Sequence, residues 1–401
     1  MESDFLRVSD GTSGGEREKK KLRIYTCTLV SFRADESTFF MRDTGLICTK
    51  LLAMDVESKC IMPLPNHEGD LTERIIRTEM YNLKDPDWWR ARKLDGLVLY
   101  SWGAPRFIKV ARAVHKAGIP LYIHVDASSF DPWWEPSIPL AKRIPLFFRR
   151  MSIDWFRALH FSYADVISAS LPFIEKSFRK RRFYGERIAD KCVSWPCPVE
   201  ELFRYDDTEK KRRVICVGRW DDAIQKRPHF LMRVLELVAQ RCGDVEADIY
   251  GFIPEEMERW HAGLPEESRC RIRLCGFLDH SCLPSVYNDA QVLLVPSSFE
   301  GTCLAAAEAL CCGCSLVVSN RPGKMDNPMW YTTLDSGAIS REDTPESMAD
   351  AVLEELERWL RGERNARDIA AAWQPFFHMG VNLNRILKIF EKVRLSDVSS
   401  K

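Results

Sequence analysis

Two glutamates eight residues apart, Glu300 and Glu308, stand in SSFEGTCLAAAEALCCGC (297–314), a stretch that is otherwise small and apolar. The strand-like run QVLLVP (291–296) comes just before it. Ser297 and Ser298 should therefore close a strand, Glu300-Gly301-Thr302 should turn the chain, and a helix is predicted from about Cys303 to Cys311. Apart from Glu308, that helix carries Ala, Leu and Cys on every side, and a helix apolar all round is a buried one. A buried carboxylate is costly unless it is hydrogen-bonded, so Glu308 requires a protein partner or a ligand hydroxyl. The N–H groups of Thr302, Cys303 and Leu304 open the helix and favour an anion there. The plainer alternative is a polar stripe that keeps Glu308 in water and leaves Glu300 an ordinary loop acid.

A second set of chemically able residues follows VICVG (214–218), in RWDDAIQKRPHFLM. Pro228 suits the first turn of a helix, where its missing N–H is not needed. Arg219 and Lys226 then lie on a strand-to-helix loop close to a helix N-terminus, where an anion is already favoured. A guanidinium can grip a phosphate with two parallel hydrogen bonds, and a lysine adds a compact charge. The alternative is a solvated basic loop. Taken together, cations and amides suit a diphosphate, whereas carboxylates accept from hydroxyls and suit a sugar or ribose. A nucleotide sugar combines all of these groups.

Strand-like runs alternating with helical patterns are what would position these residues. LRIYTCTLV (22–30), LDGLVLYS (94–101), IPLYIHV (119–125), ADVISAS (164–170) and KCVSW (191–195) form a first set, with helices predicted over Gly45–Met54 and Pro105–Lys116. After the charged, proline-containing connector 196–213 the rhythm restarts with VICVG, EADIYGF (246–252), RIRLCGF (271–277), QVLLVP and CSLVVS (314–319), and with a helix over Pro228–Gln240. Such alternation predicts α/β architecture: two doubly wound, Rossmann-like parallel-sheet domains in tandem, with ligands beyond the carboxyl ends of the strands in the cleft between them. The expected division is a polar tail over 1–20, a first domain over 21–200, a second over 201–375, and a C-terminal helical segment over 376–401 that packs back on the first domain.

Composition narrows the classes. The 401 residues are 45% apolar and 29% charged, enough for two cores. Lys plus Arg equals Asp plus Glu at 58 each, so no global electrostatic case for nucleic acid exists. The opening residues contain no apolar core, so a secretory leader is not expected there and a cytoplasmic, reducing setting is. The fourteen cysteines then read as buried thiols. Cys311, Cys312 and Cys314 lack a second Cys or His pair at ligand spacing, so packing is expected of them in place of a metal site. Between 142 and 187, eleven Lys and Arg face four acids, a surface that would suit an anionic membrane or a phosphorylated lipid; a solvated helix face is the alternative.

On these motifs the sequence resembles the nucleotide-sugar-dependent glycosyltransferases of family 4, of GT-B architecture, over nearly the whole chain after residue 20. The likeness is strongest over 213–324, where VGRWDDAIQKRP is similar to a donor-phosphate loop and SSFEGTCLAAAEALCCGCSLVVSNRPG to a motif of two glutamates with seven residues between them. The resemblance implies that Arg219 and Lys226 hold the donor diphosphate, Glu300 contacts the transferred sugar, Glu308 binds the ribose, and the amides around Gly301, Thr302, Cys303 and Leu304 help hold phosphate or sugar. Relatives often carry glycine where this chain has Cys303. CGFLDHS (275–281) is similar to the segment framing the base, with Phe277 a contact. In the first domain, FFMRDTGLICTKLLAMD (39–55) resembles the first strand-to-helix loop, so Gly45 would allow close approach of the donor phosphate or the acceptor, and Asp43 would contact acceptor or sugar. Relatives often carry a histidine at the place of Asp126; His124 lies two residues earlier, and either could reach the cleft, with Asp126 preferred and a core role the alternative for His124.

The activity implied is hexosyl transfer from a nucleoside diphosphate to an acceptor hydroxyl on a glycan, lipid or small molecule, with retained anomeric configuration. No cofactor and no metal are expected. A sugar phosphorylase of the same fold and a non-catalytic nucleotide-sugar-binding protein are the alternatives.

Overall fold

The structure is a computed structural model that describes residues 21–29, 37–40, 43–101, 107–125, 140–169, 178–180, 183–195, 198–321 and 327–399. Eight strands form a first sheet: β1 (Ile24–Thr28), β2 (Cys60–Pro63), β3 (Gly69–Thr72), β4 (Ile75–Thr78), β5 (Gly96–Tyr100), β6 (Leu121–Val125), β7 (Val166–Ala169) and β8 (Cys192–Ser194). Their order is β3-β4-β2-β1-β5-β6-β7-β8. All neighbours are parallel except β3 and β4. Parallel strands covered on both faces read as unbroken apolar runs, and β1 and β5 are buried at every residue. Three of the strands, β2, β3 and β4, fall outside the runs the sequence picks out. They are four residues long, and β3 is mostly exposed while β4 buries Arg77.

The second sheet contains β9 (Lys211–Arg219), β10 (Glu246–Phe252), β11 (Ile272–Gly276), β12 (Ala290–Val295), β13 (Ser315–Val318) and β14 (Gly337–Ile339). Its order, β11-β10-β9-β12-β13-β14, is all parallel and reverses between β9 and β12. Sheets of this order bind ligands at the reversal, beyond the carboxyl ends of the strands. The principal helices are α1 (Asp43–Ala53), α2 (Ile108–Lys116), α3 (Leu140–Ser162), α4 (Pro228–Arg241), α5 (Leu304–Cys311), α6 (Pro345–Leu360), α7 (Ala366–Phe377) and α8 (Met379–Ser399). Leu231 and Leu235 of α4 and Val352 and Leu356 of α6 cover one face of the second sheet over Val214 and Val292. Ala306 and Leu310 of α5 and Ile369 and Phe377 of α7 cover the other, over Ile215 and Leu293.

The chain crosses between the domains twice, side by side. Val199 accepts and donates across this crossing, taking Met379 N–H at 3.3 Å and giving its own N–H to Phe377 at 3.0 Å. Beyond it, Met379, Leu383, Ile386 and Phe390 of α8 join Ile24, Leu46, Val98 and Tyr122 in the core of the first domain. A side chain at Gly96 would meet the Phe390 ring at 3.0 Å, so the glycine in β5 lets this helix sit close. No helix among the described residues is long and apolar enough to cross a membrane.

Candidate functional site

The loops after β9 and β12 meet at the reversal of the second sheet. Four contacts tie them. Ser298 N–H donates to the Gln225 carbonyl at 2.8 Å and its Oγ to the Ile224 carbonyl at 2.5 Å. Gln225 Nε2 donates to the Phe299 carbonyl at 3.2 Å and to Glu300 Oε2 at 3.3 Å. The centre of the junction is an ion pair, Lys226 Nζ to Glu300 Oε1 at 2.6 Å, with side-chain exposures of 16% and 5%. Burial works against the lysine's charge, but Cys303 and Glu300 outweigh it and hold its pKa above the ordinary lysine value. The ammonium is therefore a fixed cation at neutral pH.

The three cations of this loop take separate positions. Arg219, the last residue of β9, extends into solvent with its side chain 73% exposed, 3.9 Å from Asp222. Arg227 adopts a left-handed conformation at the start of α4, φ 56°, and turns away to Asp343 at 2.7 Å while stacking on Phe230. Only Lys226 is set against the carboxylate. Proximity in sequence suggests twin cations; the structure instead gives one anchored cation and one that can swing.

Glu308 is buried on α5 with both oxygens engaged. His280 Nε2 lies 2.8 Å from Oε1, and the Tyr287 hydroxyl donates to Oε2 at 3.2 Å. Phe203 flanks both partners, with ring centres 4.9 Å from His280 and 6.0 Å from Tyr287. Burial first, and Glu308 second, push the Tyr287 hydroxyl well above its ordinary value, so it stays a donor. Neither partner was singled out by sequence reasoning. The requirement that a buried carboxylate be satisfied pointed to some such group, and His280 lies within the quoted CGFLDHS, but no spacing rule identifies it. Phe277, just past β11, is 85% exposed.

Helix α5 begins one residue later than expected, at Leu304. Cys303 precedes it with φ 52°, a left-handed conformation that glycine adopts freely and a β-carbon resists. The place of relatives' glycine is thus a strained one. The Cys303 side chain does not itself cap this helix; Thr302 is buried, and Gly301, Cys303 and Leu304 are partly buried. Cys311, Cys312 and Cys314 are fully buried thiols, each raised by burial. Cys314 Sγ donates to the carbonyls of Tyr287 at 2.9 Å and Ala290 at 3.2 Å, a packing role.

In the first domain, Asp43 opens α1. Gly45 is required by the protein's own backbone, because a side chain there would lie 2.1 Å from the Phe39 carbonyl oxygen. Its missing side chain thus makes room for the short helix Ser37–Phe40. His124 is wholly buried: Ser168 Oγ lies 2.8 Å from its Nδ1, and the ring stacks on Tyr100 with centres 4.9 Å apart. Burial lowers its pKa to about 3, so it is a neutral core histidine. Asp126 lies outside the described residues.

Residues 211–358, which hold Arg219, Lys226, Phe277, Glu300 and Glu308, match the family model for glycosyl transferases group 1. No curated protein matches the sequence significantly. Among solved structures, the chain is similar to sucrose-phosphate synthase from Thermosynechococcus elongatus, with 14% identity and a TM-score of 0.62 over 94% of this chain and 100% of that one. It is similar to a glycosyltransferase from Rickettsia africae, with 13% identity and a TM-score of 0.64 over 93% and 99%. A third is HepE of Anabaena in complex with UDP, with 13% identity and a TM-score of 0.60 over 94% and 100%. At such identities the likeness is one of fold: two Rossmann-like domains in the GT-B arrangement.

Proposed function

We propose that the chain is a retaining glycosyltransferase that moves a hexose from a nucleoside diphosphate to an acceptor hydroxyl. The observation that carries this reading is the Lys226–Glu300 pair at the reversal of the second sheet, with Glu308 fixed behind it by His280 and Tyr287. Lys226 meets the diphosphate from one side, and Arg219 closes on it from solvent. The N-terminus of α5 turns amide donors toward the same anion. Glu300 accepts from a hydroxyl of the transferred sugar, and Glu308, whose oxygens keep unused lone pairs, accepts from the ribose.

As the sugar–phosphate bond breaks, charge grows on the leaving diphosphate, and these fixed donors need no rearrangement to meet it. Each charge-assisted hydrogen bond contributes roughly 1.5–3 kcal/mol. Several that strengthen together at the transition state supply ~5 kcal/mol, a few thousandfold in rate. The proposed route places the acceptor on the face the donor leaves, with a phosphate oxygen taking the proton and no metal or cofactor required. HepE was solved with UDP and with UDP-glucose, so uridine donors are the first to test. In a transfer assay with UDP- and GDP-sugars, Lys226→Ala and Glu300→Ala should each lower kcat by a hundredfold or more with far-UV dichroism unchanged; near-normal rates in both would refute the assignment.

A further inference from the structure

Helix α3 is docked by one face and, among the described residues, largely exposed on the other, where Trp155 meets the Phe183 ring edge-on with centres 5.5 Å apart. Ala158, His160 and Phe161 are buried, and Ala158 and Phe161 join the first domain's core beside Val110 and Phe178. Away from these, Phe148, Trp155 and Leu159 are exposed, Phe148 at 64% and Trp155 at 55%, and Phe147 and Phe156 at the flanks are exposed as well. Phe148, Trp155 and Leu159 recur at intervals of seven and four, which sets them in one stripe along the helix. Single exposed apolar residues are ordinary, but a stripe of Phe148, Trp155 and Leu159 on one exposed helix face, with Phe147 and Phe156 at its two flanks, marks an interaction surface.

Charge distinguishes the partner. The chain as a whole is balanced, yet α3 has five Lys and Arg against a single acid, and 142–187 has eleven against four. A second copy of the chain would bring two segments of like net charge together and be repelled. An anionic partner is complementary, and a stripe of Trp, Phe and Leu on a basic helix is suited to the boundary between headgroups and acyl chains. The helix is too polar to cross a membrane, so it would lie along the surface. We propose that this face of α3 seats the protein on an anionic bilayer, the aromatics entering the interface and the basic segment attracting the headgroups.

Flotation with vesicles tests this without any sugar substrate. The purified protein is mixed with vesicles of phosphatidylcholine alone or of phosphatidylcholine with phosphatidylglycerol, at low and at raised salt. Binding to the anionic vesicles at low salt, released by salt and weak on the neutral vesicles, is expected. Trp155→Ala and Phe148→Ser should each lower the partition coefficient by roughly three- to tenfold. Phe148 is the more exposed of the two, so Phe148→Ser keeps the test valid if Trp155→Ala proves misfolded by circular dichroism. No binding to anionic vesicles, equal binding to neutral ones, or undiminished binding of the folded variants would overturn the proposal. So would a wild-type dimer in solution that Phe148→Ser dissociates, which would make the face a protein interface.

Discussion

Two buried imidazoles should make the first domain acid-labile well above the range where carboxylates titrate. His124 is held by Ser168 and His160 by Ser101, each at 2.8 Å, and all four residues are fully buried. Burial lowers both ring pKa values from 6.5 to about 3. Between those values the unfolded chain binds a proton that the folded chain refuses. Stability contributed by each neutral ring is thus complete above pH 6.5 and is lost as pH falls toward 3. At about pH 5 the difference is ~2 kcal/mol per ring, or ~4 kcal/mol for the pair, out of a typical ~5–15 kcal/mol. Urea midpoints measured between about pH 7.5 and pH 5 should therefore fall steeply, and the double variant His124→Asn, His160→Gln should flatten that slope. Two of the eight histidines should also fail to titrate by NMR in that interval. A midpoint constant with pH, or a slope that the double variant leaves unchanged, would refute the reasoning and would reopen an acid–base role for His124.

Other consequences concern the site and its supports. Tyr287→Phe removes one donor from buried Glu308 and should cost ~1–3 kcal/mol in urea unfolding while weakening nucleotide affinity. Cys303→Gly relieves the left-handed conformation before α5 and should stabilise the second domain by ~1 kcal/mol, read as a raised melting temperature. Gly45→Ala places a methyl against the Phe39 carbonyl and should destabilise the first domain by ~3 kcal/mol, seen as a lowered urea midpoint.

The tandem α/β plan is legible because parallel strands buried on both faces leave apolar runs that stand out, and every run in the second half but β14 was found. What was not legible follows from length and exposure. The strands β2, β3, β4 and β14 are three or four residues long, and β3 and β4 carry Asp70 and Arg77 within them. Glu300 and Glu308 stand out because charge in a small-residue setting demands a partner, and Lys226 because it lies on a strand-to-helix loop just before Pro228. The identity of the partners was not: His280 and Tyr287 reach Glu308 from 28 and 21 residues away, across a packing that no local pattern encodes. Gly45 shows that an absent side chain can serve a neighbouring segment of the chain as well as a ligand.

The central claim is that Lys226 and Glu308 bracket a nucleoside diphosphate, and calorimetric titration with UDP and GDP tests it most directly. At least one should bind the wild type, and Lys226→Ala should weaken that binding by roughly ten- to a hundredfold, the loss of one charge-assisted contact. Equal affinity in the wild type and Lys226→Ala, or no binding of either nucleotide to the folded wild type, would contradict the account.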